Sequence, residues 1–395
     1  MHVFRKLLIL LSLLAGLGAF ATSAQSGMFD WIGKKLEQGM GLVNSSSSWP
    51  EWEGYKQAFV SEDGRVVDHS TADLRTVSEG QAYALFLALV ANDRSTFDKL
   101  LAWTENNLSK GDLKRNLPAW HWGKTGDQWG VIDSNSASDA DLWILYCLIE
   151  ASRLWNDNQY ELVAQQLAQQ VLLREVLFVE GVGLSLLPGE AGFVRGNGAV
   201  KLNPSYVPPF LMARLADHFK NQPAWAELYL GSQNLLLKSV ENGLFPDWIE
   251  FNQGISNRRK TAGDYDAIRV YLWIGMTHPS DPLSAPLMQL IKPFINGAMT
   301  LGYIPETWNL ASGEMQAAGG PAGFQHALAP AFRAFGLPAP LARVLPGNNE
   351  TENWREYGYY SGMLSLFSTG FMQGRYHFSE NGRLVLSKAD WGAQQ

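Results

Sequence analysis

Cysteine is almost missing from this chain: Cys147 is the only one in 395 residues. That excludes an internal disulfide framework and any cysteine-based zinc site. Charge is sparse too, at 17%, with 31 basic residues against 38 acidic ones and a formal charge of −7. Without a basic block the chain lacks the clustered Lys and Arg that neutralise phosphates, so nucleic acid is excluded as a partner. The histidines beyond His2 (His69, His121, His218, His278, His326 and His377) are scattered and show no metal-ligand spacing. They read as structural or surface residues, Cys147 reads as a small core residue, and no cofactor or metal is expected. What is plentiful is apolar and aromatic. Hydrophobic residues reach 46%, enough for a large core, and 15 Trp, 13 Tyr and 19 Phe exceed what packing alone requires.

Long apolar runs are also missing, with one exception at the start. Residues 1–24 read as a secretory signal: Arg5 and Lys6, then the apolar run Leu7 to Leu14, then small-residue cleavage sites at Ala19-Phe20-Ala21 and Thr22-Ser23-Ala24. No other stretch is long enough to span a bilayer. The mature protein is therefore expected in the periplasm or secreted, with no transmembrane segment. Residues 25–48 read as an N-terminal extension. Phe29, Ile32, Leu36 and Met40 have helix-like spacing there, before a flexible Asn44–Ser48 linker. The extension is assigned no function. Residues 49–395 show no compositional break and read as one domain.

Within that domain the sequence punctuates itself. Helices are expected to open at Ser78-Glu79-Gly80-Gln81, Ser138-Asp139-Ala140-Asp141, Asn203-Pro204 and Asp264-Tyr265-Asp266, in steps of 60, 65 and 62 residues. The first two carry capping-box patterns, and Pro204 suits a first turn. Second amphipathic segments follow at Phe97–Leu108, Leu162–Leu172, Trp225–Leu237 and Leu283–Ile295, with further helices at Pro321–Phe335 and Tyr357–Phe371. Solenoid repeats run about 34–47 residues, so longer steps favour an all-α toroid, an α/α barrel of inner and outer helices. Val176–Lys201 and Arg375–Leu386 break the pattern as irregular or hairpin excursions, the second with a turn at Ser379–Gly382.

Three of these openings carry acids at one structural address: Glu79, then Asp139 and Asp141, then Asp264 and Asp266. Any single one is accounted for by the helix macrodipole, which favours acids in the first turn. Together, on inner helices of a ring, they would meet on one cleft floor. Paired carboxylates suit glycosidic bond cleavage, in which one donates a proton to the leaving oxygen and the other activates water or attacks carbon. Glu79 is the better acid, with Ala82, Tyr83 and Phe86 as an apolar wall and Asp139 as a neighbouring charge. Arg269, one turn past Asp266, is placed to orient that carboxylate. Trp120, Trp122 and Trp129 before the second opening, and Tyr206 at the third, offer flat faces for sugar rings.

At these residues the sequence resembles glycoside hydrolase family 8, inverting endoglucanases with an (α/α)6 barrel. Ala137-Ser138-Asp139-Ala140-Asp141 resembles the family signature, Thr76–Gln81 its general-acid segment, and Tyr265–Arg269 its base segment. Leu117–Trp120, Asp133–Asp139 and Asn203–Tyr206 are similar to a periplasmic cellulase subgroup encoded beside bacterial cellulose synthase. The resemblance implies Glu79 as general acid, Asp266 as base, and Asp139 as the residue that binds and distorts the sugar at the cleavage point, with Asp139 and Asp141 left as alternatives for that role. It implies Arg269 beside the base and Trp120, Tyr206 and Asp141 against the substrate. The implied partners are a β-1,4-glucan and the cellulose synthase export complex, and a monomer is expected. The rival enzyme readings are a metal-dependent enzyme using the two Asp-x-Asp motifs and a polysaccharide lyase. The non-enzymatic rival is a glucan-binding or scaffold protein of the export machinery.

Overall fold

A computed structural model describes residues 49–257, 261–340 and 344–387. The expected signal and extension, residues 1–48, lie outside the described residues. The chain enters through α1 (Pro50–Phe59) and then alternates. Inner α2 (Ser78–Val90) is followed by outer α3 (Arg94–Leu108), inner α4 (Ser138–Leu154) by outer α5 (Asn158–Arg174), and inner α6 (Pro209–His218) by outer α7 (Pro223–Ser239). Inner α8 (Ala267–Met276) and outer α9 (Ser284–Leu301) continue the pattern, before inner α10 (Ala322–Ala334), outer α11 (Thr351–Tyr357) and inner α12 (Tyr359–Met372). Each inner helix packs on the next, and α12 returns to α2, so the inner ring closes. Helices α1 and α11 pack on each other and on α12, completing the outer layer. The fold is an (α/α)6 barrel.

The inner helices are apolar on all sides because every side meets protein. From Gly80 to Val90 every residue of α2 is buried, as is all of α4 from Ser138 to Ala151, including Cys147. The single-face pattern read from Ala82, Leu85, Phe86 and Leu89 is thus one side of an all-round core helix. Aromatic rings fill the barrel axis: Trp143 lies 5.1 Å from Phe86, 5.4 Å from Trp273 and 5.2 Å from Phe367.

Both expected capping boxes fail to form. Extended Val77 and Ala137 occupy the cap positions, and the hydroxyls of Ser78 and Ser138 have no hydrogen-bond partner. Gln81 instead binds outward, its Oε1 accepting from the Val66 amide (2.6 Å) and its Nε2 donating to the Gly64 carbonyl (3.0 Å). The third opening also differs. Pro204–Tyr206 is a 3-10 turn in which Asn203 Oδ1 accepts from the Ser205 amide, and α6 starts only at Pro209. Two prolines in a row, Pro208 and Pro209, remove amide donors and disfavour helix before them.

The connections form small antiparallel sheets. The region around Trp120 is a hairpin rather than a loop: β1 (Thr76–Val77), β2 (Ala119–Thr125) and β3 (Gln128–Ser136) make one sheet. The others are β4 (Val176–Val179) with β5 (Gly183–Leu186), β6 (Val200–Leu202) with β7 (Ile249–Asn252) and β8 (Ile255–Asn257), and β9 (Ala262–Gly263) with β10 (Trp308–Asn309). At the C-terminal ends of the inner helices, β11 (Tyr376–Phe378) and β12 (Leu384–Leu386) form the expected hairpin. Its Phe378 stacks on Phe210 at 3.7 Å, and the Gly382 carbonyl accepts from the Tyr146 hydroxyl at 2.9 Å. That end of the barrel is plugged.

Candidate active site

The opposite end stays open, and Arg269 lies at its centre. This residue of α8 is only 3% exposed. Its Nη2 donates to Asp266 Oδ1 at 2.6 Å and to Ser205 Oγ at 2.9 Å. Its Nη1 donates to Glu79 Oε1 and to the Tyr83 hydroxyl, both at 3.3 Å, and lies 3.6 Å from Asp139 Oδ2. One planar guanidinium thus gathers carboxylates from three inner-helix openings, which suits its fork of donors. Two such short contacts on one guanidinium keep the Glu79 and Asp266 oxygens within about 8 Å of each other.

The three acids differ in access. Glu79 and Asp266 keep 20% and 26% of their side-chain surface open, whereas Asp139 keeps 1%. Burial, then the charge of Glu79, pushes Asp139 well above the usual carboxylate range, with Arg269 opposing. Its Oδ1 accepts from the Ala140 amide at 2.9 Å, while its buried Oδ2 has no hydrogen-bond donor. Burial also raises Asp266, and the charge of Arg269 pulls it back.

Asp141, expected against the substrate, is placed elsewhere. It is wholly buried and lies in hydrogen-bond contact with Glu175 of the α5–β4 connection. Burial raises both carboxyls, Glu175 to about 7, and Ser136 Oγ donates to Glu175 at 2.5 Å. Asp139 and Asp141 are two residues apart on a helix of 3.6 residues per turn, so they point to nearly opposite sides. Only Asp139 reaches Arg269.

The aromatic residues line the same end. Register carries Trp120 of β2 to the start of α2, because Val77 pairs with His121. Its indole N–H donates to Asp133, and His121 bonds Asp73 at 2.6 Å. Tyr206 lies under the Arg269 guanidinium at 5.6 Å and beside the Trp248 ring at 6.1 Å. Trp122 and Trp129 stack at 5.3 Å with Arg65 over both rings, and Trp129 remains 45% exposed.

Residues 40–374 match the model of Glycosyl hydrolases family 8. The chain belongs to that family. An endoglucanase of Escherichia coli (strain K12) is 40% identical over 362 residues, covering 89% of this chain and 94% of the relative. An endoglucanase of Pseudomonas fluorescens (strain SBW25) is 39% identical over 368 residues, covering 86% and 91%. Among solved structures, the endo-1,4-D-glucanase from Vibrio fischeri ES114 aligns with a TM-score of 0.78 at 40% identity, over 86% of this chain and 99% of that one. The protein is a glycoside hydrolase of the endoglucanase class.

Sequence reasoning missed several residues at the cleft of this family 8 enzyme. Tyr359 and Tyr360 open α12, and the Tyr359 hydroxyl fills the space that a Cβ on Gly80, next to Glu79, would need. Asp247 and Trp248 lie between α7 and β7, with Lys201 4.0 Å over the Trp248 ring and Phe193 stacked against it at 6.1 Å. The tyrosines had a legible signal, the same opening position as the acids. Asp247 and Trp248 had none, lying in an irregular connection. Among the described residues, no group of three or more His, Cys, Asp or Glu side chains has the arrangement of a metal site, and no helix is long and apolar enough to cross a membrane.

Proposed function

We propose that the enzyme is an inverting endo-β-1,4-glucanase, a cellulase, in which Glu79 is the general acid and Asp266 the base. The observation that carries this reading is the shared guanidinium. It holds two partly open carboxylates, Glu79 and Asp266, from distant parts of the sequence within about 8 Å of each other. The acid pair rests on that contact, while the inverting outcome rests on membership of family 8; inversion uses about 6.5–9.5 Å between the two carboxyl groups, room for a water molecule on the far side of the sugar. Glu79 protonates the departing glycosidic oxygen. Asp266, oriented by Arg269, takes a proton from the water that attacks the anomeric carbon. Asp139, with one buried oxygen lacking a donor, accepts a hydrogen bond from a hydroxyl of the distorted sugar at the cleavage point. Trp120 and Tyr206 present ring faces to the glucan.

The signal-like residues 1–24 support export to the periplasm or beyond. The segments Leu117–Trp120 and Asn203–Tyr206 support a role beside bacterial cellulose synthesis, with the enzyme acting as a monomer near the export complex. The test of the chemistry is NMR of fresh products from a cello-oligosaccharide. The α-anomer is expected first; the β-anomer first would overturn inversion. Activity lost in both Glu79→Gln and Asp266→Asn, with folded protein in each case, supports the assigned pair.

A further inference from the structure

An Asp at the start of a helix ordinarily turns its carboxylate back onto the first free amides of that helix. Asp266 occupies the cap position of α8 yet makes no side-chain cap bond: its Oδ1 receives Arg269, and the Ile268 and Arg269 amides donate to the backbone carbonyls of Asp264 and Asp266. The free amide at Ala267 is satisfied from elsewhere. Asp247, twenty residues earlier, accepts from the Ala267 amide at 2.7 Å and, with the same Oδ1, from the Asp264 amide at 2.9 Å. Those two amides bracket Tyr265 and Asp266. Asp247 is itself anchored, its own amide donating to the Ala262 carbonyl at 3.0 Å.

We propose that Asp247 is the positioning residue for Asp266: it caps α8 in place of Asp266, leaving the Asp266 carboxylate free to face Arg269 and the cleft. The proposal rests on the reading of Asp266 as the base. The Asp247 carboxyl also bonds the Asp264 side chain, and burial together with that bond raises it to about 8. Its Oδ1 accepts the two amides of Asp264 and Ala267. The carbonyl oxygen of asparagine can accept the same two amides, whereas alanine leaves the amide of Ala267 unpaired and invites Asp266 to turn back and cap its own helix.

The test compares wild type, Asp247→Asn, Asp247→Ala and Asp266→Asn on a soluble cellulose derivative, with kcat, KM and Tm measured for each. Asp247→Ala is expected to lower kcat by about ten- to a hundredfold, the range expected when a reacting group is displaced by about 1 Å, with KM within about threefold. Asp247→Asn is expected to restore kcat to within about threefold of wild type, a rescue that an effect on stability alone would not produce. Folded Asp247→Ala with wild-type kcat overturns the proposal, as does Asp247→Asn as inactive as alanine. If Asp247→Ala does not fold, Asp247→Glu, which displaces the carboxyl by one methylene, is held to the same kcat and KM outcome. Asp266→Asn separates the two claims. Near-wild-type activity there removes the base assignment itself, whereas an inactive Asp266→Asn beside a fully active Asp247→Ala removes only the positioning role.

Discussion

At the open end of the barrel, Glu79, Asp139 and Asp266 crowd around one arginine, and a buried oxygen of Asp139 lacks a hydrogen-bond donor. At the plugged end, Phe378 stacks on Phe210, and the Tyr376 hydroxyl donates to the Phe367 carbonyl at 2.7 Å. There Glu150, fully buried, is matched by Arg153 and Arg214, each at 2.5 Å. Both ends are made of the same inner helices. The difference shows that polar satisfaction and ring packing at one end supply stability, while the other end keeps like charges together and an oxygen unpaired, an arrangement that suits a substrate better than a resting fold.

That contrast can be broken in order of size. Glu79→Gln or Asp266→Asn is expected to cut kcat by about 10²–10⁴-fold, the worth of general acid–base catalysis, while Tm holds or rises because a crowded charge is gone. A large fall in Tm in both variants would show that the acids hold the fold together. Next comes Arg269→Met, which strands three carboxylates and is expected to cost about 3–5 kcal/mol in urea unfolding at pH 7. Burial raises Asp139 and Asp266 in the folded state and Arg269 opposes it, so without the arginine these two carboxyls rise further and the folded protein binds the extra protons. The deficit should therefore shrink as pH falls toward 5; a constant deficit would locate the damage in packing.

At the plugged end, Gly382→Ala is expected to cost about 1–3 kcal/mol, since a Cβ there overlaps the Phe210 carbonyl and the backbone is left-handed at φ 72°. Calorimetry should show the lower Tm, with kcat per folded molecule unchanged. The smallest effect belongs to Asp141→Asn. Burial raises Asp141 and Glu175, so the pair's stability is complete below the unfolded pKa of about 4 and is lost as pH rises through about 7, where Glu175 titrates. Between pH 5 and 8 the Tm of this variant should fall less than that of wild type, by a few degrees; equal slopes would mean that the two carboxyls do not share a proton.

Much of the architecture was legible because inner helices must be apolar and must begin at a regular interval. The four openings near 79, 139, 204 and 266 all fall at the site end, although the third is a 3-10 turn held off from α6 by Pro208 and Pro209. The first-turn serines misled, because Ser138 follows an extended cap and its amide donates to the Pro188 carbonyl at 3.1 Å. Helix α11 and the hairpin around Trp120 were not legible: each owes its form to a neighbour, α1 or β1, distant in sequence.

By itself the sequence determined which residues carry charge, where helices begin, and that carboxylates recur at those beginnings. It also determined that Asp139 and Asp141 must diverge, since two residues on a helix turn through about 200°. Which of them meets Arg269 was decided by tertiary structure, because burial against Glu175 takes one side chain out of the cleft. Tertiary structure likewise recruited Asp247 to the start of α8, since a free amide accepts whichever oxygen the fold brings within 3 Å.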